Sequence, residues 1–303
     1  MGRGGAKIRL NRTPKTMRTS RFASIRVFLE MIKVSHSIFA LPFALAAAVL
    51  AADGLPEWVL VIKIIVACVF ARTAAMAFNR WADRLVDARN PRTATRAIPA
   101  GELTAAGVLV AAILSAAFFV LCAYTINPLA FALSPVALVI LFGYSFTKRF
   151  TQFSHLVLGL ALGLSPIGAW IAVRGELAVL PVLLGLAVLF WTAGFDVIYS
   201  CQDVEFDRRH DLHSLPSRWG NRRALWISRG FHAVTLALLL AVGIIGSLGL
   251  AYGVGVALVA AILIYEQSLV RPDDLSKVNL AFFTLNGCVS LVFMLTTVVD
   301  VVV

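Results

Sequence analysis

The sequence predicts an all-α polytopic membrane protein, and three observations carry the prediction. Hydrophobic residues make up 60% of the 303 and charged residues 14%, with a mean hydropathy of +0.87. A chain that apolar cannot cover itself with polar surface in water. Its apolar residues form nine runs, each near the roughly 20 residues of helix that cross about 30 Å of hydrocarbon. The basic residues, finally, gather at alternate ends of those runs.

The predicted spans are 28–51, 57–79, 104–124, 129–146, 153–173, 178–199, 224–246, 249–269 and 279–299. Nine Lys and Arg lie between Arg3 and Lys33, so a basic tail over 1–25 precedes a single membrane domain over 26–303. The tail has no apolar segment of its own and the first span is long, which argues against a cleaved signal peptide.

Lys and Arg accumulate in cytoplasmic loops. With a cytoplasmic N-terminus, the basic connections are Arg80 to Arg96, Lys148-Arg149, Arg208 to Arg229, and Arg271 with Lys277. The opposite connections hold only Arg174, beside Asp53, Glu57 and Glu176, which places the C-terminus outside. A bacterial-type inner (cytoplasmic) membrane is the expected location. A net charge of +11 and a pI near 10.1 would suggest nucleic acid in a water-soluble chain. Spread along one membrane face, the same charge points to the lipid bilayer or a polyanionic substrate, with no nucleic acid. Cys68, Cys122, Cys201 and Cys288 have no paired spacing, which predicts neither disulfide nor zinc site.

Acid is concentrated. Seven of the sixteen acidic residues, Asp83, Asp87, Asp196, Asp203, Glu205, Asp207 and Asp211, fall at or beside two cytoplasmic loops. At 3.6 residues per turn, Asn79, Asp83 and Asp87 form one stripe off the end of the second span. Asp196, Tyr199, Asp203 and Asp207 repeat the device on the sixth. Hard oxygen donors on facing helices suit Mg2+, which binds through one or two carboxylates plus substrate phosphates. The bland alternative is a pair of solvated helix ends with i,i+4 partners such as Arg80, Arg84 or Arg208. Against it, like charges four apart repel unless a cation joins them, and two helices do the same thing on one side.

The loops NRWADRLVDARNPRTATRAIPAG (79–101) and DVIYSCQDVEFDRRHDLHSLPSRWG (196–220) resemble the signature loops of the UbiA prenyltransferase superfamily. YSFTKRFTQFSHLVLGLALG (144–163) is similar to the family's segment after the fourth helix, and the nine-helix count agrees. The resemblance implies about nine helices around a central cavity opening at the cytoplasmic side. It implies that Asn79 binds the diphosphate of a polyprenyl diphosphate, with Mg2+ on Asp83, Asp87, Asp203 and Asp207. It further implies transfer of the polyprenyl chain to an aromatic acid acceptor.

Fixed cations near the metal would stabilise the leaving diphosphate. Lys148 and Arg149 are the leading candidates, followed by Arg84, Arg92, Arg96 and Arg218. Arg72 lies inside the second span, seven residues before Asn79, and an intramembrane arginine marks a functional site by default. It is expected to pair with the acceptor's carboxylate or with a buried acid such as Glu266. Asp196 could accept the phenol or ring proton or join the metal site; Tyr199 could bond the diphosphate or orient an aspartate. His36 and His155 are expected to cap helix ends. Some of the 20 phenylalanines would line a groove for the prenyl tail.

The segment YEQSLVRPDDLSKVNLAFFTLNG (265–287) is similar to members that prenylate 4-hydroxybenzoate in ubiquinone biosynthesis, or 1,4-dihydroxy-6-naphthoate for menaquinone. A cation-coupled transporter is the alternative of another class. It would place its carboxylates near the bilayer midplane, whereas these sit at the helix ends.

Overall fold

The computed structural model describes residues 21–33 and 39–303, and these fold into helices, with one isolated bridge between Arg271 and Asp274. In chain order the helices are α1 Arg21–Met31, α2 Leu41–Ala52, α3 Trp58–Ala82, α4 Arg84–Arg89, α5 Ala105–Ile126 and α6 Pro128–Thr147. They continue with α7 Ser154–Arg174, α8 Val179–Ser200, α9 Val204–Arg209, α10 Leu215–Ile245, α11 Leu250–Leu269 and α12 Asn286–Val302. A 3-10 turn, Cys201–Asp203, joins α8 to α9, and a π-helical turn, Leu280–Leu285, leads into α12.

Among the described residues, eight helical segments are long and apolar enough to cross a membrane, and this is a multi-pass membrane protein. The expected first span, 28–51, is not one helix. Lys33, at φ 49°, follows the end of the first described helix, and Pro42 starts α2 near its first position, where proline fits. What remains is an 11-residue α1 that carries Arg21, Arg26 and Glu30, and a 12-residue α2. His36 lies outside the described residues. A second difference is at α10, which starts at Leu215 and not near 224. Ser214 caps it with a reciprocal box to Ser217, and Gly220, at φ 79° and ψ 159°, bends the chain between this capped turn and the apolar helix.

In hydrocarbon every backbone polar group must be satisfied within the protein, which is why the apolar runs are helices. The ends are closed locally: Thr104 accepts from Gly107 N–H, and Asn127 accepts from Ala130 N–H. Asn127 Nδ2 also donates to Ile171 O at 2.8 Å, fastening the start of α6 to the end of α7.

Large apolar side chains such as Val139, Ile113 and Ile244 face outward, where lipid would lie. The inner core is aromatic and small: Phe43 lies 5.0 Å from both Trp191 and Phe293, ring centre to ring centre, and Ala44, Ala46, Ala47 and Ala51 of α2 are fully enclosed. α8 is the central helix, packed between α7 and α10. Its approach to α7 depends on Gly159 and Gly163. A Cβ at Gly159 would sit 2.2 Å from Leu189 O, and one at Gly163 would sit 2.4 Å from Gly185 O. Small residues four apart let two membrane helices touch backbone to backbone.

Replacing Gly163 by Val should therefore cost about 1–3 kcal/mol through overpacking, read as a lower thermal unfolding midpoint in detergent. The same change at Gly168, whose Cβ position is open, should leave the midpoint nearly unmoved.

Candidate active site

Two arms carry the acidic stripes. α3 ends at Ala82, yet Asp83 N–H bonds Asn79 O at 2.9 Å and Asp87 N–H bonds Asp83 O at 2.8 Å. The four-residue ladder thus crosses the joint, and the stripe keeps its direction into α4. α8, the 3-10 turn and α9 form the second arm. Both arms bend at an aspartate in the sparsely populated bridge region, Asp83 at φ −91°, ψ 2° and Asp203 at φ −104°, ψ 5°.

Each of the four carboxylates meets a cation. Arg92 forks onto Asp203, with Nε 2.9 Å from Oδ1 and Nη2 2.5 Å from Oδ2. Arg92 Nη1 donates to the Tyr199 hydroxyl at 3.0 Å, and Asn90 Nδ2 donates to Asp203 Oδ1 at 3.2 Å. Arg96 Nη1 donates to both oxygens of Asp87, at 2.7 and 2.8 Å. Arg149 Nη2 lies 3.4 Å from Asp83 Oδ1 and also donates to Ala82 O. Lys148 Nζ lies 3.9 Å from Asp207 Oδ2, which accepts the Ser214 hydroxyl at 2.9 Å. Asp87, Asp203 and Asp207 are buried, at 6%, 8% and 2% exposure, so the surface-pair reading of the stripes fails. Isolated charges at that depth would be costly; paired and hydrogen-bonded ones persist.

A cavity of about 560 Å³ runs from this charged end between α3, α6 and α7. Asn79, the four aspartates, Arg92, Arg96, Lys148 and Arg149 line its polar end, and Ile64, Leu133, Leu141 and Ile167 line its apolar length. Asp196, Tyr199 and Arg72 also face it.

Two candidate cations do not. Arg84 follows Asp83 by one position, about 100° around the helix from the stripe, and folds back: its Nη1 donates to Trp81 O at 2.7 Å while the guanidinium lies over the Trp81 ring. Arg218 is exposed on the capped first turn of α10. Neither lines the cavity. Arg72 does not pair with Glu266. Its Nη2 donates to Lys33 O at 2.9 Å, whereas fully buried Glu266 takes its hydrogen bond from Asn286 Nδ2 at 3.2 Å. His155 is enclosed, with Nδ1 2.7 Å from Asp196 Oδ2 and Nε2 accepting from Leu215 N–H at 3.3 Å. It meets the start of α10 as a cap would, and holds a cavity residue as well.

The sequence reading missed Asn90, Ser214 and Arg80 as site residues. Arg80 lines the cavity and, among the described residues, forms no ion pair, although its charge is felt by Asp83, Asp87 and Tyr144. Its position beside Asn79 was the available signal.

Do these residues fit Mg2+? The donor set is hard oxygen, on two arms, facing one cavity. Among the described residues no three acidic, histidine or cysteine side chains are grouped so that they could hold a metal ion by themselves, so an ion here would need water and phosphate ligands as well. That suits an ion that keeps waters and takes its remaining ligands from a phosphate. Burial, then the neighbouring Asp87 charge, raises the Asp83 carboxyl above its ordinary range, against the opposing pull of Arg149 and Lys148.

The UbiA prenyltransferase family profile matches residues 40–288. The chain belongs to this family. Among its relatives is the 4-hydroxybenzoate octaprenyltransferase of Vibrio parahaemolyticus, 33% identical over 240 residues, which cover 79% of this chain and 84% of that protein. The apo structure of a UbiA homolog from Aeropyrum pernix K1 superposes with a TM-score of 0.81 at 34% identity, covering 88% of this chain and 98% of that one. A UbiA homolog from Archaeoglobus fulgidus, solved bound to DMAPP and Mg2+, shares the fold with a TM-score of 0.71 at 21% identity, covering 90% and 98%. Membership makes this UbiA chain a prenyltransferase, and the transporter alternative falls away.

A raised carboxyl pKa means that ionising Asp83 opposes folding as pH climbs from its unfolded value toward its folded one. Asp83→Asn should accordingly raise the melting temperature of metal-free protein at neutral pH. It should also abolish most of the stabilisation that added Mg2+ with diphosphate gives the wild type. Differential scanning fluorimetry in detergent reads both.

Proposed function

We propose that this UbiA prenyltransferase moves a polyprenyl chain from its diphosphate to carbon of 4-hydroxybenzoate in quinone biosynthesis. The observation that carries the reading is the paired-aspartate cavity: a charged end for a diphosphate, continuous with an apolar channel for a prenyl tail. The acceptor comes from the named function of the Vibrio relative. Arg72 supports it, as a cation beyond the diphosphate end that could take the acid's carboxylate.

Asp83, Asp87, Asp203 and Asp207 would hold Mg2+, with Asn79 beside them at the diphosphate. Bound there, Mg2+ supplies positive charge to the leaving diphosphate. Lys148, Arg149 and Arg92 exchange part of their pairing with the aspartates for contact with phosphate oxygens. These cations are already in place, so stabilising the departing charge needs little reorganisation. Arg80 adds a cation that forms no ion pair among the described residues, although Asp83 and Asp87 act on its charge. The apolar walls keep water from the allylic cation while the ring attacks it. Asp196, set one turn deeper than Tyr199, takes the released proton. Tyr199 shares Arg92 with Asp203 and so orients that carboxylate. With the short apolar α2 completing a ninth crossing beside the eight longer helices, the N-terminus lies in the cytoplasm and the C-terminus outside, in an inner membrane of bacterial type.

Membranes containing the protein, given Mg2+, labelled polyprenyl diphosphate and a panel of aromatic acids, should yield prenylated 4-hydroxybenzoate. Prenylated 1,4-dihydroxy-6-naphthoate instead would move the acceptor, and no magnesium-dependent product from any acid would refute the activity. EDTA should stop turnover, and Asp207→Asn should lower kcat by about 10²–10³. Arg72→Ala should raise the acceptor KM roughly 10-fold or more, as loss of a charge-assisted bond worth about 1.5–3 kcal/mol requires, while leaving the KM for diphosphate in place.

A further inference from the structure

Three consecutive residues at the start of α10 each hold a different group on or behind the cavity wall. His213 N–H donates to Lys148 O at 2.7 Å. Ser214 Oγ donates to Asp207 Oδ2 at 2.9 Å. Leu215 N–H donates to His155 Nε2 at 3.3 Å, and His155 Nδ1 stands 2.7 Å from Asp196 Oδ2.

The last pair fixes a tautomer. A nitrogen that accepts from a backbone N–H carries no proton of its own, so the ring proton of a neutral His155 is on Nδ1 and is donated to Asp196. His155 is 0% exposed and Asp196 faces the cavity. Asp196 differs in this from the four outer aspartates: its partner is a ring N–H and not a Lys or Arg. Tyr144 of α6 is coupled to it from a neighbouring helix, and Tyr199 follows it by three residues on its own helix.

We propose that His155 is a positioning residue that holds Asp196 as the proton acceptor of the transfer step, and that the 213–215 turn sets this base together with the diphosphate-side Lys148 and Asp207. The inference rests on the prenyl-transfer reading. In that step the prenyl C–O bond breaks with its electron pair going to diphosphate, and ring electrons form the new C–C bond. The ring C–H bond then breaks, its electrons return to the ring, and its proton passes to the Asp196 carboxylate and on to water at the cavity mouth. His155 neither gives nor takes a proton, because both its nitrogens are engaged. It denies Asp196 the rotamers that would turn its free oxygen from the ring.

The test compares His155→Gln, whose amide oxygen and NH2 can reproduce the accepting and donating sides, with His155→Phe, which fills the space without either bond. Both are checked for monodisperse elution in detergent, and His155→Met replaces the Phe variant should that not fold. The non-bonding variant should lose about 10- to 100-fold in kcat with the diphosphate KM unchanged. Ring-deuterated acceptor should then show a primary isotope effect larger than in wild type, as proton removal becomes limiting. H155Q should recover most of kcat and return the isotope effect toward wild type. Unchanged kcat in H155F, a fall without the isotope effect, or a folded H155Q that rescues nothing would overturn the proposal. So would failure of both non-bonding variants to fold while H155Q folds, since the bond would then be a folding determinant. A wild type that prenylates none of the acids tried would refute the functional reading itself, a separate result.

Discussion

The structure depends on charge compensation at the edge of an apolar bundle. Four carboxylates sit there largely out of water, and each is met by a cation: Arg149 on Asp83, Arg96 on Asp87, Arg92 on Asp203 and Lys148 on Asp207. At Asp87, Asp203 and Asp207, the three buried carboxylates, removing the cation would leave a buried charge without a partner, so these pairs are not independent of one another. Arg92 and Asp203 are 111 residues apart, and their fork ties the α3–α4 arm to the α8–α9 arm across the cavity mouth. The binding site and the closure of the bundle are the same set of bonds.

That arrangement bears on how a polyanion is received. Cations held by carboxylates are poised and do not collapse onto one another, and Lys33, whose ammonium is weakened by burial and by Arg80, Arg96 and Arg92, records how crowded with positive charge the mouth is. On the proposed reading, an incoming diphosphate would offer these cations stronger acceptors, while a divalent ion would offer the aspartates a stronger cation. The exchange conserves pairing throughout, which keeps the cost of reorganisation low.

Much of this was legible in the sequence. Spans follow from hydropathy because hydrocarbon leaves the backbone no choice but helix, and the stripes follow from four-residue spacing because both arms remain helical through them. The break after Met31 was not read from the sequence: apolar residues continue on both sides of the polar Lys33 to Ser37 stretch, and the positive φ at Lys33, which composition does not encode, follows the helix end. Nor were the partners. Periodicity relates residues on one helix, so it could put Arg84 near Asp83 but could not tell that Arg84 would turn to Trp81 while Arg149, from another helix, took the carboxylate. His155 shows the same limit. A lone histidine near a helix start suggested a cap, and only the fold reveals Asp196 on its other side.

The two acidic arms bend at Asp83 and at Asp203, in nearly the same backbone conformation, and those hinge residues are themselves proposed ligands. A bond formed at either carboxylate therefore also acts on the torsions of its own joint. On that reading, the angle of α4 against α3, and of α9 against α8, would follow occupancy: the arms would be levers whose pivots are also their handles.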